Sequence, residues 1–232
     1  VSTIVLLSGG AAQGLVKALA PAFEARTGMK VSAQFGAVGA MREKLSAGWP
    51  TDIVILTRDL IDDLTRQGSV MAGSVADIGV VPTAIAIRRG DEGPDVATAQ
   101  ALSAALRDAA EIHVPDLARS TAGIHFAGML ARLDLAESLA SALRPHPNGA
   151  TAMAALAATH AKPALGCTQA TEIISQPGVE LLGYLPDELS LETLYSAAIC
   201  VNSSNRAQAE AFIADLFSPS AKGLRNSLGF SS

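Results

Sequence analysis

Short apolar runs alternate along this chain with longer segments whose apolar residues recur every three or four positions. "STIVLLS" reads as a buried strand closed by Gly9 and Gly10. Residues 11–27 follow with Leu15, Leu19 and Phe23 on one helical stripe. Pro21 should kink or break that helix, and Gly28 suits a left-handed cap. "KVSAQFG" is a second strand, and "VGAMREKLSAG" a helix with Val38, Met41 and Leu45 on one face. "TDIVILT" is a third strand, apolar throughout as central parallel strands are. "RDLIDDLTRQG" is a helix stopped by Gly68. The order β-α-β-α-β-α predicts a parallel sheet flanked by helices.

"ADIGVVPTAIAIRRG" is strand-like but interrupted by Pro82, which predicts one strand, a crossing and a second strand. The alternation then restarts. The pattern predicts a helix around Leu102 and Leu106, the strand "EIHVPD", a helix from Ser120 through Leu133, and another through Leu143. "PHPNG" reads as a loop and 150–161 as a helix. "PALGCTQ", "VELLGYLP" and "LYSAAICV" read as strands, with the short helix "ATEIIS" between the first two, and two helices close the chain. We therefore expect an α/β fold of two lobes, lobe 1 from residues 1–82 plus 197–232 and lobe 2 from 83–196.

Composition narrows the function. Among 232 residues 49% are apolar and only 17% charged, with a net charge of −5. No apolar run reaches the roughly 18 residues of a membrane span. Arg88-Arg89 is the only basic doublet of note, so neither nucleic acid nor insertion into a membrane is expected. No basic or apolar leader precedes the first strand, which fits either a cytosolic protein or one whose export signal has been removed. Cys167 and Cys200 stand outside any Cys-x-x-Cys, and could pair only in an oxidising compartment.

Familiar catalytic motifs are missing. Ala11 occupies the central glycine of a would-be G-x-G-x-x-G, and neither a Walker loop nor a Gly-x-Ser-x-Gly elbow is present. His113, His125, His146 and His160 form no pair at helical ligand spacing, so no metal and no cofactor is expected. What recurs is a strand end running into a helix start rich in small and hydroxylic residues: "SGGAA", "GAVGA", "ILTR", "RSTAG" and "GCTQAT". Ligands bind at such carboxyl edges, where helix N–H groups favour an anion. The candidate ligand residues are Ser8, Gly9, Gly10, Ala37, Val38, Gly39, Arg58, Ser120, Thr121, Ala122, Thr168 and Gln169. Ser8 could also cap a helix, and Arg58 could clamp a carboxylate. Tyr195 reads as packing near a crossing, and Arg42 as a surface residue.

The segments "LLSGGAAQGLVKALAPAFEARTGMKV", "FGAVGAMREKLSAGWPTDIVIL", "STAGIHFAGMLARL" and "ALGCTQATEII" with "YSAAICV" resemble the periplasmic solute-binding proteins of ABC transporters, in particular the molybdate-binding group. The resemblance implies a type II binding-protein fold with a ligand cleft between lobes. It also implies a periplasmic monomer that delivers a small anion to an ABC permease. Members that bind molybdate typically place a serine where Ser8 stands, serines near Ala37-Val38 and a tyrosine at Gln169. Ser8 is kept, but the loss of the hydroxyls at Ala37-Val38 and Gln169, with Arg58 nearby, favours an organic polycarboxylate. Aconitate isomerase is an enzyme similar to this group. An isomerase reading would place Ser8, Thr121 and His125 in the proton shift.

Overall fold

The computed structural model describes residues 2–231, which form two compact α/β units. Unit 1 takes the residues up to Val81 and those from Thr193 onward, and unit 2 takes Pro82–Glu192.

Unit 1 is built on the strand order β2-β1-β3-β9, from Lys30–Gly36, Thr3–Gly9, Ile53–Thr57 and Glu192–Ile199. The first three are parallel, and β9 runs antiparallel to β3. All five residues of β3 are buried, as expected of a strand covered on both faces. Helices α1 (Gln13–Thr27), α2 (Val38–Ser46), α3 (Arg58–Arg66), α8 (Arg206–Leu216) and α9 (Pro219–Ser227) belong to this unit. Phe23 of α1 meets Phe212 of α8 edge-on, with ring centroids 5.1 Å apart. Gly28 ends α1 at φ 72°, and its N–H bonds the Glu24 carbonyl. Helix α1 runs on through Pro21 rather than breaking there. The helix is anchored on both sides of the exposed Pro21 by buried Leu15, Val16 and Phe23, so packing overrides the lost backbone bond.

Unit 2 has the order β8-β4-β7-β5-β6. These strands are Val179–Tyr184, Ala76–Arg88, Ala164–Gln169, Glu111–Pro115 and Leu143–His146. β4 is antiparallel to both β7 and β8, while β5 is parallel to β7 and β6. Helices α4 (Ala99–Asp108), α5 (Thr121–Arg132), α6 (Gly149–Ala158) and α7 (Ala170–Ile174) complete it. One apolar core joins Ile85 and Ile87 of β4, Leu165 and Cys167 of β7, and Phe126 and Met129 of α5.

Three local expectations fail here. β4 is one strand through Pro82, not two. The proline falls where partners change: Val80 bridges Ser231, and the Thr83 N–H goes to the Leu191 carbonyl. No α-helix runs through Leu143. Asp134 at φ 53° stops the chain after α5, and turns carry buried Leu135 and Leu139 to β6. "PHPNG" is not all loop, because Pro145 and His146 finish β6. That strand is the edge of the unit 2 sheet, where a proline is tolerated.

Candidate functional site

In unit 1 the parallel strands β1, β2 and β3 end level with one another, Gly9 beside Gly36 and Ser8 beside Ile55. Three of the recurrent turns therefore lie on one edge. Ser8 is fully buried, and its hydroxyl donates to the Gly9 carbonyl at 2.8 Å. It caps no helix: Gly10–Ala12 form a 3-10 turn, and Ala12, without a side-chain bond, precedes α1. Gly9 is required by close approach. A Cβ there would come 2.7 Å from Val38 Cγ1 and 3.3 Å from Tyr195 Cε1. The end of β1, the start of α2 and buried Tyr195 thus meet at one point. Ala37 precedes α2 with no side-chain cap, so the first N–H groups of Val38 and Gly39 have no partner within the helix.

Arg58 opens α3, and its guanidinium already faces two carboxylates. Nε reaches Asp62 at 2.9 Å, and Nη1 lies 2.8 and 2.9 Å from the two oxygens of Asp77. These bonds, to Asp62 first and then Asp77, raise its pKa further. Asp77 is also fixed by the Ser196 hydroxyl at 2.7 Å. The ligand role expected of Arg58 would require it to leave these partners.

In unit 2 the parallel strands β5, β6 and β7 likewise end on one edge and feed helices. Ser120 caps α5, its Oγ accepting the Gly123 N–H at 3.4 Å. Thr121 and Ala122 follow as the first helical residues, and helix geometry leaves their N–H groups without an intrahelical partner. Thr168 and Gln169 are buried at the end of β7. Thr168 Oγ1 donates to Glu172 Oε2 at 2.5 Å. His125 is half-buried, and its Nε2 lies 2.7 Å from the Leu189 carbonyl. That contact requires Nε2 to carry the proton, so this nitrogen does not act as the base.

Glu172 escaped the sequence reading. Beyond Thr168, its carboxyl accepts the backbone N–H groups of Gln169, Ala150 and Gly149. Burial outweighs these bonds and pushes its pKa up to about 7. A Cβ on Gly149 would lie 2.0 Å from Glu172 Oε2 and 2.3 Å from Thr168 Oγ1, so this carboxyl fills the start of α6. The only available signal was its spacing, four residues beyond Thr168 and within the first turn of a helix.

A second missed contact joins His113 and His146, whose ring nitrogens lie 3.1 Å apart across β5 and β6. His113 also meets Glu111 at 3.2 Å. Burial lowers the pKa of His113, and burial with its neighbour lowers that of His146. Helical spacing rules cannot reveal a pair formed between strands. Among the described residues no group of three or more His, Cys, Asp or Glu is placed to hold a metal ion. Cys167 and Cys200 are both buried free thiols, each with a pKa raised by burial. No helix among the described residues is long and apolar enough to cross a membrane.

Two α/β units, each with hydroxyls and helix starts gathered on one strand edge, define the type II fold of periplasmic binding proteins. The chain overlays the periplasmic molybdate-binding protein of Azotobacter vinelandii with a TM-score of 0.81 and 18% identity, covering 99% of both chains. For the sulfate-binding protein of Mycobacterium tuberculosis the TM-score is 0.73 at 18% identity, over 99% of this chain and 86% of that one. At such identities the likeness speaks for the fold alone. The protein belongs to the bacterial extracellular solute-binding protein family, whose model matches residues 4–231. It is also 30% identical over 227 residues to an aconitate isomerase of Pseudomonas sp., spanning 95% of this chain and 84% of that protein.

Proposed function

We propose that the protein captures a small polycarboxylate, of the class that includes aconitate, at its polar strand edges. In this reading it works in the periplasm and hands its ligand to an ABC importer. The observation that carries the ligand class is the 30% identity to an aconitate isomerase along nearly the whole chain. The chemistry of the edges supports it. Ala37 and Val38 bring no hydroxyls, and those of Ser8 and Thr168 donate internally. What the edges offer is backbone N–H groups at helix starts, which suit planar carboxylates spread over several carbons.

A thermal-shift panel tests the ligand. A ligand at 100 times its Kd adds about 2.7 kcal/mol. For a chain of this length that moves the Tm by roughly 5–10 °C. cis-Aconitate, trans-aconitate, citrate or a related acid should give such a shift, and molybdate, tungstate, sulfate and phosphate should not. A large shift with tungstate and none with the carboxylates would overturn the assignment.

One set of observations favours a second reading, turnover of the captured acid. The relative is itself an isomerase, and the Thr168–Glu172 pair sets a carboxyl with a pKa near 7 one hydroxyl below the strand edge. Moving a double bond along a tricarboxylate needs a base to take an allylic proton and return it at another carbon, with no net oxidation. NMR of cis- or trans-aconitate with the protein in D₂O decides: deuterium in the acid or a second isomer means catalysis, and an unchanged spectrum means capture.

A further inference from the structure

Thr83 is 1% exposed, and its hydroxyl has no hydrogen-bond partner among the described residues. Buried hydroxyls are almost always bonded. The backbone of Thr83 is fully engaged, its N–H with the Leu191 carbonyl at 2.9 Å and its carbonyl with the Leu185 N–H at 3.4 Å. Only the side chain is left over. The hydroxyl of Thr171, also 1% exposed, has no partner either. Thr171 lies in the first turn of α7, two residues beyond Gln169.

The topology says which way Thr83 faces. Thr83 stands directly opposite Gln169 in the antiparallel β4–β7 ladder, and opposed residues share a face of the sheet. Ile85, Ile87, Leu165 and Cys167 alternate onto that same face and pack with Phe126, Met129 and Leu130 of α5. Thr83 and Gln169 are therefore the last rung of the face that α5 covers. Helix α5 begins at that same level. A Cβ on Gly123 would lie 2.7 Å from the carbonyl oxygen of Pro115, the last residue of β5, which runs parallel beside β7. α5 has 12 residues, and the outermost N–H groups, on Thr121 and Ala122, have no partner within it. A buried hydroxyl in need of a partner thus shares one end of one sheet face with a helix N-terminus, which favours an anion.

We propose that Thr83 is a ligand-binding residue, its hydroxyl donating to a carboxylate oxygen held beside Gln169 and the start of α5. This deepens the polycarboxylate reading and rests on it. Nothing in the sequence marks Thr83, since "VVPTAIAI" reads as an apolar strand.

The test uses the full chain with Thr83→Val and Thr83→Ser. Valine keeps the branched shape and removes the hydroxyl, whereas serine keeps the hydroxyl. Kd is measured by calorimetry for cis-aconitate, trans-aconitate and citrate, and Tm is measured without any ligand. A hydrogen bond to a charged group leads us to expect roughly 10- to 100-fold weaker binding for Thr83→Val. Thr83→Ser should stay within about threefold of the wild type. Because the unligated protein has no bond to lose at this hydroxyl, Thr83→Val should leave its Tm unchanged or higher. Unaltered affinity in Thr83→Val, or a Tm lowered by several degrees without ligand, would assign the hydroxyl to the fold and overturn the proposal. A wild type that binds none of the three acids would instead sink the polycarboxylate reading. The unligated Tm would still report on Thr83 in that case, a drop in Thr83→Val counting against it.

Discussion

At the scale of single residues, the acid beneath the strand edge has consequences that pH exposes. Glu172 is buried, and its folded pKa of about 7 stands above the ordinary value of 4.5. Between those values the folded protein holds a proton that the unfolded chain has released. Stability linked to Glu172 is therefore fully present below about pH 4.5 and is lost as pH rises through about 7. The full span amounts to about 3 kcal/mol. Glu172→Gln removes the titration while keeping an acceptor for Thr168, so the difference in Tm between variant and wild type should widen in the variant's favour from pH 5 to pH 8. Melting curves at both ends of that window check the sign. A difference that shrinks with rising pH would mean that the N–H groups of Gly149, Ala150 and Gln169 outweigh burial after all. Glu172 also marks a limit of reading residues in order. Thr168 and Gln169 stand out in the sequence because a hydroxyl and an amide close an apolar run, and both do end β7. The role of Glu172 depends on the start of α6, about twenty residues earlier, and no local pattern connects them.

At the scale of elements, periodicity carried most of the fold. Strands β1, β2, β3, β5 and β7 stand where apolar runs end in Gly, Pro or polar residues, and α1 ends at Gly28. Errors clustered where tertiary packing overrides a local breaker. Pro82 and Pro145 remain within strands, because one sits where ladder partners change and the other on an edge. Pro21 persists inside α1 for a comparable reason, at a cost that can be measured. Its ring removes one backbone bond and crowds the carbonyl of Lys17. Pro21→Ala should restore the bond and add about 2 kcal/mol, once the roughly 0.4–1 kcal/mol that proline contributes by restricting the unfolded chain is subtracted. For a chain of this size that is a rise in Tm of roughly 4–8 °C. A fall would mean that the packing of Leu15, Val16 and Phe23 is built around the proline.

At the scale of the whole molecule, the order in which the chain visits its two units makes them unequal. Unit 2 is one continuous segment with its own apolar core, from Ile85 and Ile87 through Phe126 to Leu165. Within it β4 pairs with β7 and β8, and β5 with β7 and β6, and only the first residues of β4 lie outside the segment. Unit 1 is discontinuous. Its β3 pairs with β9, and Phe23 packs on Phe212, so the amino-terminal segment ends before two of its partners have been made. A segment of about 110 residues with a core of this kind is within the range that folds alone. We therefore expect residues 82–192, expressed by themselves, to fold into a cooperative domain. Far-UV circular dichroism should show mixed α/β structure, thermal unfolding should be sigmoidal, and amide NMR peaks should be dispersed. Residues 1–81 alone should lack these signatures. A fragment 1–81 that folds while 82–192 stays disordered would reverse the order of dependence and show that the continuous unit relies on the split one.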